Sequence, residues 1–264
     1  MVGAEMLAGA AALFNPFALS PLMWWCSYAV MRFLLFITID GIVWVIGPRV
    51  TNPLPSRTDK TRPPYKHVLD RYDVIYLGIN SFIEYAFLQQ LAWFLWFHPR
   101  VLRSGGDFGL ASGPLAWYLL FVVDDMLYAP AHRFMHWPPV YKYVHKHHHR
   151  NTFPSRGYID GANEHPCEQL LALSLHWTAM HIVMRATGLH ASAVVLHIAL
   201  KALGACFNHT GFDLRFQFLG IDYSVRAHEM HHRRPNTNYA QYVMFWDRLM
   251  GTYVEYQSTG EKAL

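Results

Sequence analysis

Between Asp124 and Arg150 the chain reads DDMLYAPAHRFMHWPPVYKYVHKHHHR, which brings His132, His136, His145, His147, His148 and His149 into one short stretch. On a helix, residues three and four apart share a face, so His132 and His136 can aim two imidazoles at one point, and His145 can do so with His148 and His149. His147, two residues from His145, points off that face and is left out of the set. About eighty residues on, AHEMHH supplies His228, His231 and His232 and repeats the His-x-x-His-His pattern. This is metal-ligand spacing. Eight imidazoles can supply most of two coordination shells of about six positions each and leave places open for dioxygen, although imidazole alone does not distinguish iron, zinc and copper. The soluble di-iron carboxylate bundles use Glu residues with two Glu-x-x-His motifs, a pattern that is absent here.

The elements that must carry these groups are apolar. The 264 residues are 53% hydrophobic, 16% aromatic and only 15% charged, with a mean hydropathy of +0.09, which fits several hydrophobic helices with a polar cap. A net charge of +4, scattered along the chain, does not argue for nucleic acid. Cys26, Cys167 and Cys206 form neither a zinc ribbon nor a disulfide framework. Residues 1–20 carry Glu5 and no basic residue ahead of their apolar run, so they do not read as a secretory signal.

Candidate spans follow at Met23–Ile46, Val74–Phe97, the stretch opened by Pro114, Glu168–Met184 and Leu189–Phe207, the last two joined by a short Thr187-Gly188 turn. Arg32 and Asp40 interrupt the first and are expected at its ends, paired, or facing protein. Loops 47–72, 132–166 and 208–264 hold six, five and six Lys or Arg, against two in loop 98–113. Threading the spans in order puts the three basic loops, and all the histidine groups, on one face, which the charge bias makes cytosolic. The expected fold is all-α: an integral membrane helical bundle of about four to five membrane helices under a cytosolic histidine-rich helical cap. Residues 1–72 form an N-terminal helix and basic Pro-rich loop, and 73–264 the catalytic domain.

His132-Arg-Phe-Met-His136, His145-Lys-His-His148-His149 and His228-Glu-Met-His231-His232 resemble the three histidine boxes of the fatty acid hydroxylase and sterol desaturase superfamily of membrane di-iron oxygenases. Asp125, Tyr128, Arg133, Tyr141-Lys-Tyr143, His165-Pro166, Glu168, His209-Thr-Gly211, Asn238-Tyr239 and Trp246-Asp-Arg-Leu-Met-Gly-Thr252 are similar to family positions as well. The likeness runs from Asp124 to Thr252 and is greatest for the sterol branch, typified by C-4 methylsterol oxidases and C-5 desaturases of sterol biosynthesis. It implies two iron ions, O2 as co-substrate, and electrons from cytochrome b5 or an NAD(P)H reductase. A lipid substrate would enter from the bilayer of the endoplasmic reticulum. It also implies His165 and His209 as further ligands, with no catalytic residue separate from the metal centre. No His-Pro-Gly-Gly haem signature occurs, so the donor would be a separate protein.

Asp125 lies seven residues before His132, on nearly the same helix face, and is expected to accept a hydrogen bond from that imidazole or to pair with Arg133. Asp247 is expected to orient a ligand or to bridge to Arg248. His176, His181, His190 and His197, spread along apolar helices, read as packing or substrate-cavity residues. Two rival readings remain. His228-Glu229-Met230-His231-His232 satisfies H-E-x-x-H, the motif of a zinc metallopeptidase with Glu229 as base, which would leave the other two boxes without work. A non-enzymatic membrane metal carrier would place its ligands inside the spans rather than after them.

Overall fold

The computed structural model describes residues 20–55 and 68–257, and the readings made on residues 1–19, 56–67 and 258–264 lie outside them. It is mostly helical, at 67%. The principal helices are α1 (Pro21–Leu35), α2 (Gly41–Val50), α3 (Arg71–Phe97), α4 (Ala116–Met135), the short α5 (Pro138–Tyr141) and α6 (Tyr158–Gly161), α7 (Pro166–Thr187), α8 (Ala191–Asn208), α9 (Val225–Arg233) and α10 (Phe245–Met250). A π-helical stretch, Phe36–Asp40, joins α1 to α2.

Helix α3 begins where the sequence gives it a cap. Asp70 accepts from the backbone N–H of Tyr72 and Asp73, while Asp73 accepts from that of Asp70, satisfying donors that a helix start leaves open. Buried Asp73 also meets Arg150 and Asn163, which ties this helix end to the loop carrying the second histidine group. Helices α7 and α8 form the expected hairpin, turning at Gly188 with φ +77°, a conformation that favours glycine.

One apolar core joins Phe87, Leu91 and Phe94 of α3 to Leu120 of α4, Met180 and Val183 of α7 and Val194 of α8. A second packs Val43 of α2 and Phe121 of α4 against Phe207, Tyr223 and Val243. At the end away from the histidines, strand β1 (Val101–Leu102) pairs in parallel with β2 (Leu189–His190). The α3–α4 loop and the α7–α8 turn therefore meet at one end of the bundle, as the threading of the spans requires. A hairpin, β3 (Arg215–Phe218) with β4 (Ile221–Ser224), leads into α9.

Among the described residues two stretches are both long and apolar enough to cross a membrane, Leu22–Val50 and Ala191–Asn208. The other expected spans form helices of 27, 20 and 22 residues. They carry buried polar groups such as Asp73, Asn80, Asp124 and Asp125, and these lower their apolar character. The outer face of the bundle exposes Trp25, Phe33, Val45, Ile79, Trp96 and Val195, an apolar surface of the kind that soluble monomers do not display. Arg32 and Asp40 are partnered, as expected. Arg32 lies 3.3 Å from Glu84 and donates to the Tyr158 hydroxyl at 2.6 Å. Asp40 accepts from the Tyr158 N–H and from Cys206.

Candidate metal centre

Four segments bring the histidines together. The C-terminal turn of α4 presents His132 and its cap residue His136, the turns after α5 present His145, His148 and His149, the C-cap of α8 is His209, and one face of α9 presents His228, His231 and His232. They sort into two adjacent buried groups. His132, His136, His145, His149 and His231 offer nitrogens within 4.8 Å of one another, and so do His148, His209, His228 and His232. The rings of His149 and His232, one from each group, lie 4.8 Å apart.

The orientation of the rings is the informative feature. His132 Nδ1 lies 2.8 Å from the Tyr239 carbonyl, His231 Nδ1 2.7 Å from that of Thr237, His209 Nδ1 2.7 Å from that of Ala205, and His145 Nδ1 2.6 Å from Glu168. A carbonyl can only accept, so in His132, His209 and His231 the proton sits on Nδ1 and Nε2 carries a lone pair. The Nε2 atoms within each group face one another. His145 Nε2 is 2.9 Å from that of His132 and 3.0 Å from that of His149, which is 3.0 Å from that of His231. In the second group His228 Nε2 is 3.1 Å from those of His209 and His232. His149 Nε2 lies between those of His145 and His231, and His228 Nε2 between those of His209 and His232; one ring N–H can donate to one of its two neighbours and not to both, and protonation is opposed. Burial, then the neighbouring histidines, push His145, His148, His149, His228, His231 and His232 well below their ordinary pKa, and burial takes His136 down to about 3. A cation between the rings resolves the arrangement. Nitrogens about 2.1 Å from a shared ion and at right angles across it are roughly 3.0 Å apart, so the donor set fits a transition metal. The Nε2 of His136, buried without a hydrogen-bond partner, completes the first group.

Nine of the ten expected ligands thus meet in two clusters. His165 does not. It caps α7, its Nδ1 accepting from the Cys167 N–H, and it lies outside both groups, because the Pro166 that follows it starts a helix and leaves it at the N-cap. His147 also stays out, 3.0 Å from Asp73 and Asn163. Asp125 requires a correction. Its carboxylate accepts from the backbone N–H groups of Gln241, Tyr242 and Val243 at 2.9, 2.7 and 2.6 Å, and not from His132, whose Nδ1 is taken by Tyr239. Asp247 accepts from the N–H groups of Tyr239 and Ala240 at 2.8 and 2.7 Å rather than bridging to Arg248, which pairs with Asp222. Both acids therefore hold the 239–243 segment whose carbonyl orients His132.

The partner that sequence reasoning missed is Glu168. It belongs to the first turn of α7, where acids are common because of the helix dipole, and nothing in the sequence pairs it with His145. Gly161 is also needed for the site, since a Cβ there would stand 3.1 Å from His209 Nδ1. Glu229, beside His228 on α9, has Arg233 at 3.7 Å and the Tyr256 hydroxyl at 3.5 Å.

A family profile described as fatty acid hydroxylase matches residues 117–252, more than half of the chain and a stretch holding every histidine of both groups. The chain belongs to the fatty acid hydroxylase family. As a member of that family it is an oxidoreductase of lipid metabolism. It is similar to the methylsterol monooxygenase erg25A of Aspergillus fumigatus, at 24% identity over 87% of this chain and 82% of that protein. It is also similar to the sphingolipid C4-hydroxylase sur2 of Schizosaccharomyces pombe, at 29% over 52% of this chain and 47% of the relative. The Delta(7)-sterol 5(6)-desaturase ERG3 of Saccharomyces cerevisiae is 30% identical over 51% of this chain and 34% of its own length. With erg25A apart, the chain spans about half or less of the length of these relatives. No solved structure matches the chain.

Proposed function

We propose that the two histidine groups hold two iron ions and that the protein is an O2-dependent lipid oxidase. It would hydroxylate, oxidise or desaturate a sterol or fatty acyl chain, with electrons from cytochrome b5 or an NAD(P)H reductase, in the membrane of the endoplasmic reticulum. The observation that carries this reading is the convergence of Nε2 atoms from four segments, with the opposite ring nitrogens of His132, His209 and His231 held by backbone carbonyls. His132, His136, His145, His149 and His231 would hold one ion and His148, His209, His228 and His232 the other. Iron bound there would supply the one-electron chemistry that activates dioxygen against an unactivated C–H bond.

The chain's own contribution is placement and exclusion of water. A cavity of about 240 Å³ is lined by His148 and His209 and by apolar side chains including Leu35, Phe87, Leu173 and Ile198. A lipid entering it would meet the second histidine group at one wall. Burial of the rings keeps them unprotonated and able to ligate, the carbonyls of Ala205, Thr237 and Tyr239 fix the tautomers of His209, His231 and His132, and Glu168 lies against His145. The apolar outer surface and the basic loops support a multi-pass protein with its histidines at the cytosolic face. A zinc peptidase built on His228, Glu229 and His232 would leave the five-histidine group of His132, His136, His145, His149 and His231 without work.

Metal analysis of the purified protein tests the proposal. Two irons per chain is the expected result, and a single zinc bound by His228 and His232 would replace it with the peptidase reading. Lipid analysis of cells lacking the protein would name the substrate by what accumulates.

A further inference from the structure

A second polar layer lies deeper in the bundle. Asp124 of α4, His176 of α7 and His197 and Lys201 of α8 meet there, with His176 Nδ1 at 3.4 Å and His197 Nε2 at 3.5 Å from Asp124 Oδ2, on which the Lys201 ammonium also closes. The two imidazoles stack at 5.2 Å. Two histidines and a carboxylate are a possible metal triad, but the Lys201 ammonium already provides the positive charge at the carboxylate, so the layer is charge-balanced without an ion. What it lacks is hydrogen-bond partners: Asp124 Oδ1, His176 Nε2 and both nitrogens of His197 have none, and of these His176 belongs to the residues that line the cavity described above. With Nδ1–H of His176 donating to Asp124, its Nε2 is an acceptor, and that atom is buried with nothing bound to it. His176 and Lys201 both line the cavity that reaches His148 and His209. An acceptor and an ammonium donor on one cavity wall are the complement of a hydroxyl group, which can donate to one and accept from the other.

Three helices fix the depth of this layer. Lys201 precedes His209 by eight residues, Asp124 precedes His132 by eight, and His176 follows Glu168, the partner of His145, by eight. At 1.5 Å per residue each places the layer about 12 Å from the histidine groups.

We propose that His176 and Lys201 form a hydroxyl-binding subsite, and that the substrate is a lipid whose hydroxyl lies on the order of 10 Å from the carbon that is oxidised. This deepens the lipid-oxidase reading and rests on it for the oxidised carbon alone. Occupation of the subsite needs no metal. An alcohol seated there would present to the histidine groups a carbon some eight or nine bonds along an extended chain, or the far end of a fused-ring skeleton.

The test uses the full-length protein in lipid nanodiscs and two pairs of probes, 1-hexadecanol against hexadecane and cholesterol against its 3-deoxy analogue, with binding read from tryptophan fluorescence. A site built around a hydroxyl rejects the analogue lacking it. At least one pair is expected to show a tenfold or greater preference for the alcohol. That preference should fall below threefold in His176→Phe and in the double variant Asp124→Asn with Lys201→Met, which removes the ion pair without leaving a lone buried charge. Absence of hydroxyl preference in both pairs, or its survival in both variants, overturns the subsite. Iron content measured on the same samples separates the outcomes: loss of hydroxyl preference with full iron follows from the subsite, and a wild-type protein that prefers the alcohol but binds no iron overturns the oxidase reading instead.

Discussion

Asp125→Asn gives the most direct test of how the centre is held. The buried carboxylate takes three backbone N–H groups from residues 241–243, each worth about 1.5–3 kcal/mol as a bond to a charged acceptor. An asparagine oxygen can keep two of them as weaker neutral bonds, but its NH2 then faces the third donor. One bond is lost and two are weakened, a destabilisation of about 3 kcal/mol. For a chain of this size that is a fall of roughly 6–12 °C in melting temperature. Because Tyr239, two residues before the clamp, carries the carbonyl that orients His132, iron affinity should fall as well, by about 10 to 100-fold. Differential scanning fluorimetry in detergent and iron retention under graded chelator measure the two effects. An unchanged melting temperature together with an unchanged chelator midpoint would show that the clamp does not support the centre. A loss of iron with no loss of stability would point to a direct Asp125–His132 interaction instead.

Glu168→Gln replaces the carboxyl that lies against His145 Nδ1 and is expected to weaken iron binding about 10 to 100-fold, read by the same chelator titration; full retention would reduce Glu168 to a packing role. Glu229→Gln should leave lipid oxidation intact, and its loss in cell lipid profiles would return Glu229 to the chemistry. Chelator-stripped protein should be acid-sensitive. Burial sets the folded pKa values of the nine rings below the unfolded value of about 6.5, with His136 at about 3, so stability is complete above pH 6.5 and is lost as pH falls below it. Iron-loaded protein should hold to lower pH, because protons must then displace the ion. Near-ultraviolet circular dichroism across pH 4–8 compares the two forms, and a stripped protein as stable at pH 4.5 as at 7.5 contradicts the burial argument.

The clustering histidines were partly legible in the sequence, because residues four apart share a helix face: His132 pairs with His136, His145 with His149 and His228 with His232, whereas His148 and His231, expected to join their neighbours, turn to the other group. His209 and His165 had no such spacing, and only resemblance marked them. One closes α8 inside the cluster and the other caps α7 outside it, a difference set by where each helix ends. The acceptors behind the rings were illegible for a different reason. Carbonyls of Ala205, Thr237 and Tyr239 carry no residue-type signal, so Asp125 and Asp247, which act on that backbone, were assigned to the wrong partners. Hydropathy located all five long helices, yet buried acids such as Asp73 and Asp124 make three of them too polar to identify as spans from composition.

The clamp on residues 239–243 also sets an order of assembly. His132 is oriented by a carbonyl that lies 107 positions later in the chain, and the segment bearing that carbonyl is closed by Thr252, whose backbone oxygen accepts from the Asn238 N–H. A nascent chain that has emerged only through its first two histidine groups has no complete cage to offer an ion. Loading is therefore a late event in biogenesis, and a chain that ends before residue 228 lacks His228, His231 and His232 and with them part of both groups.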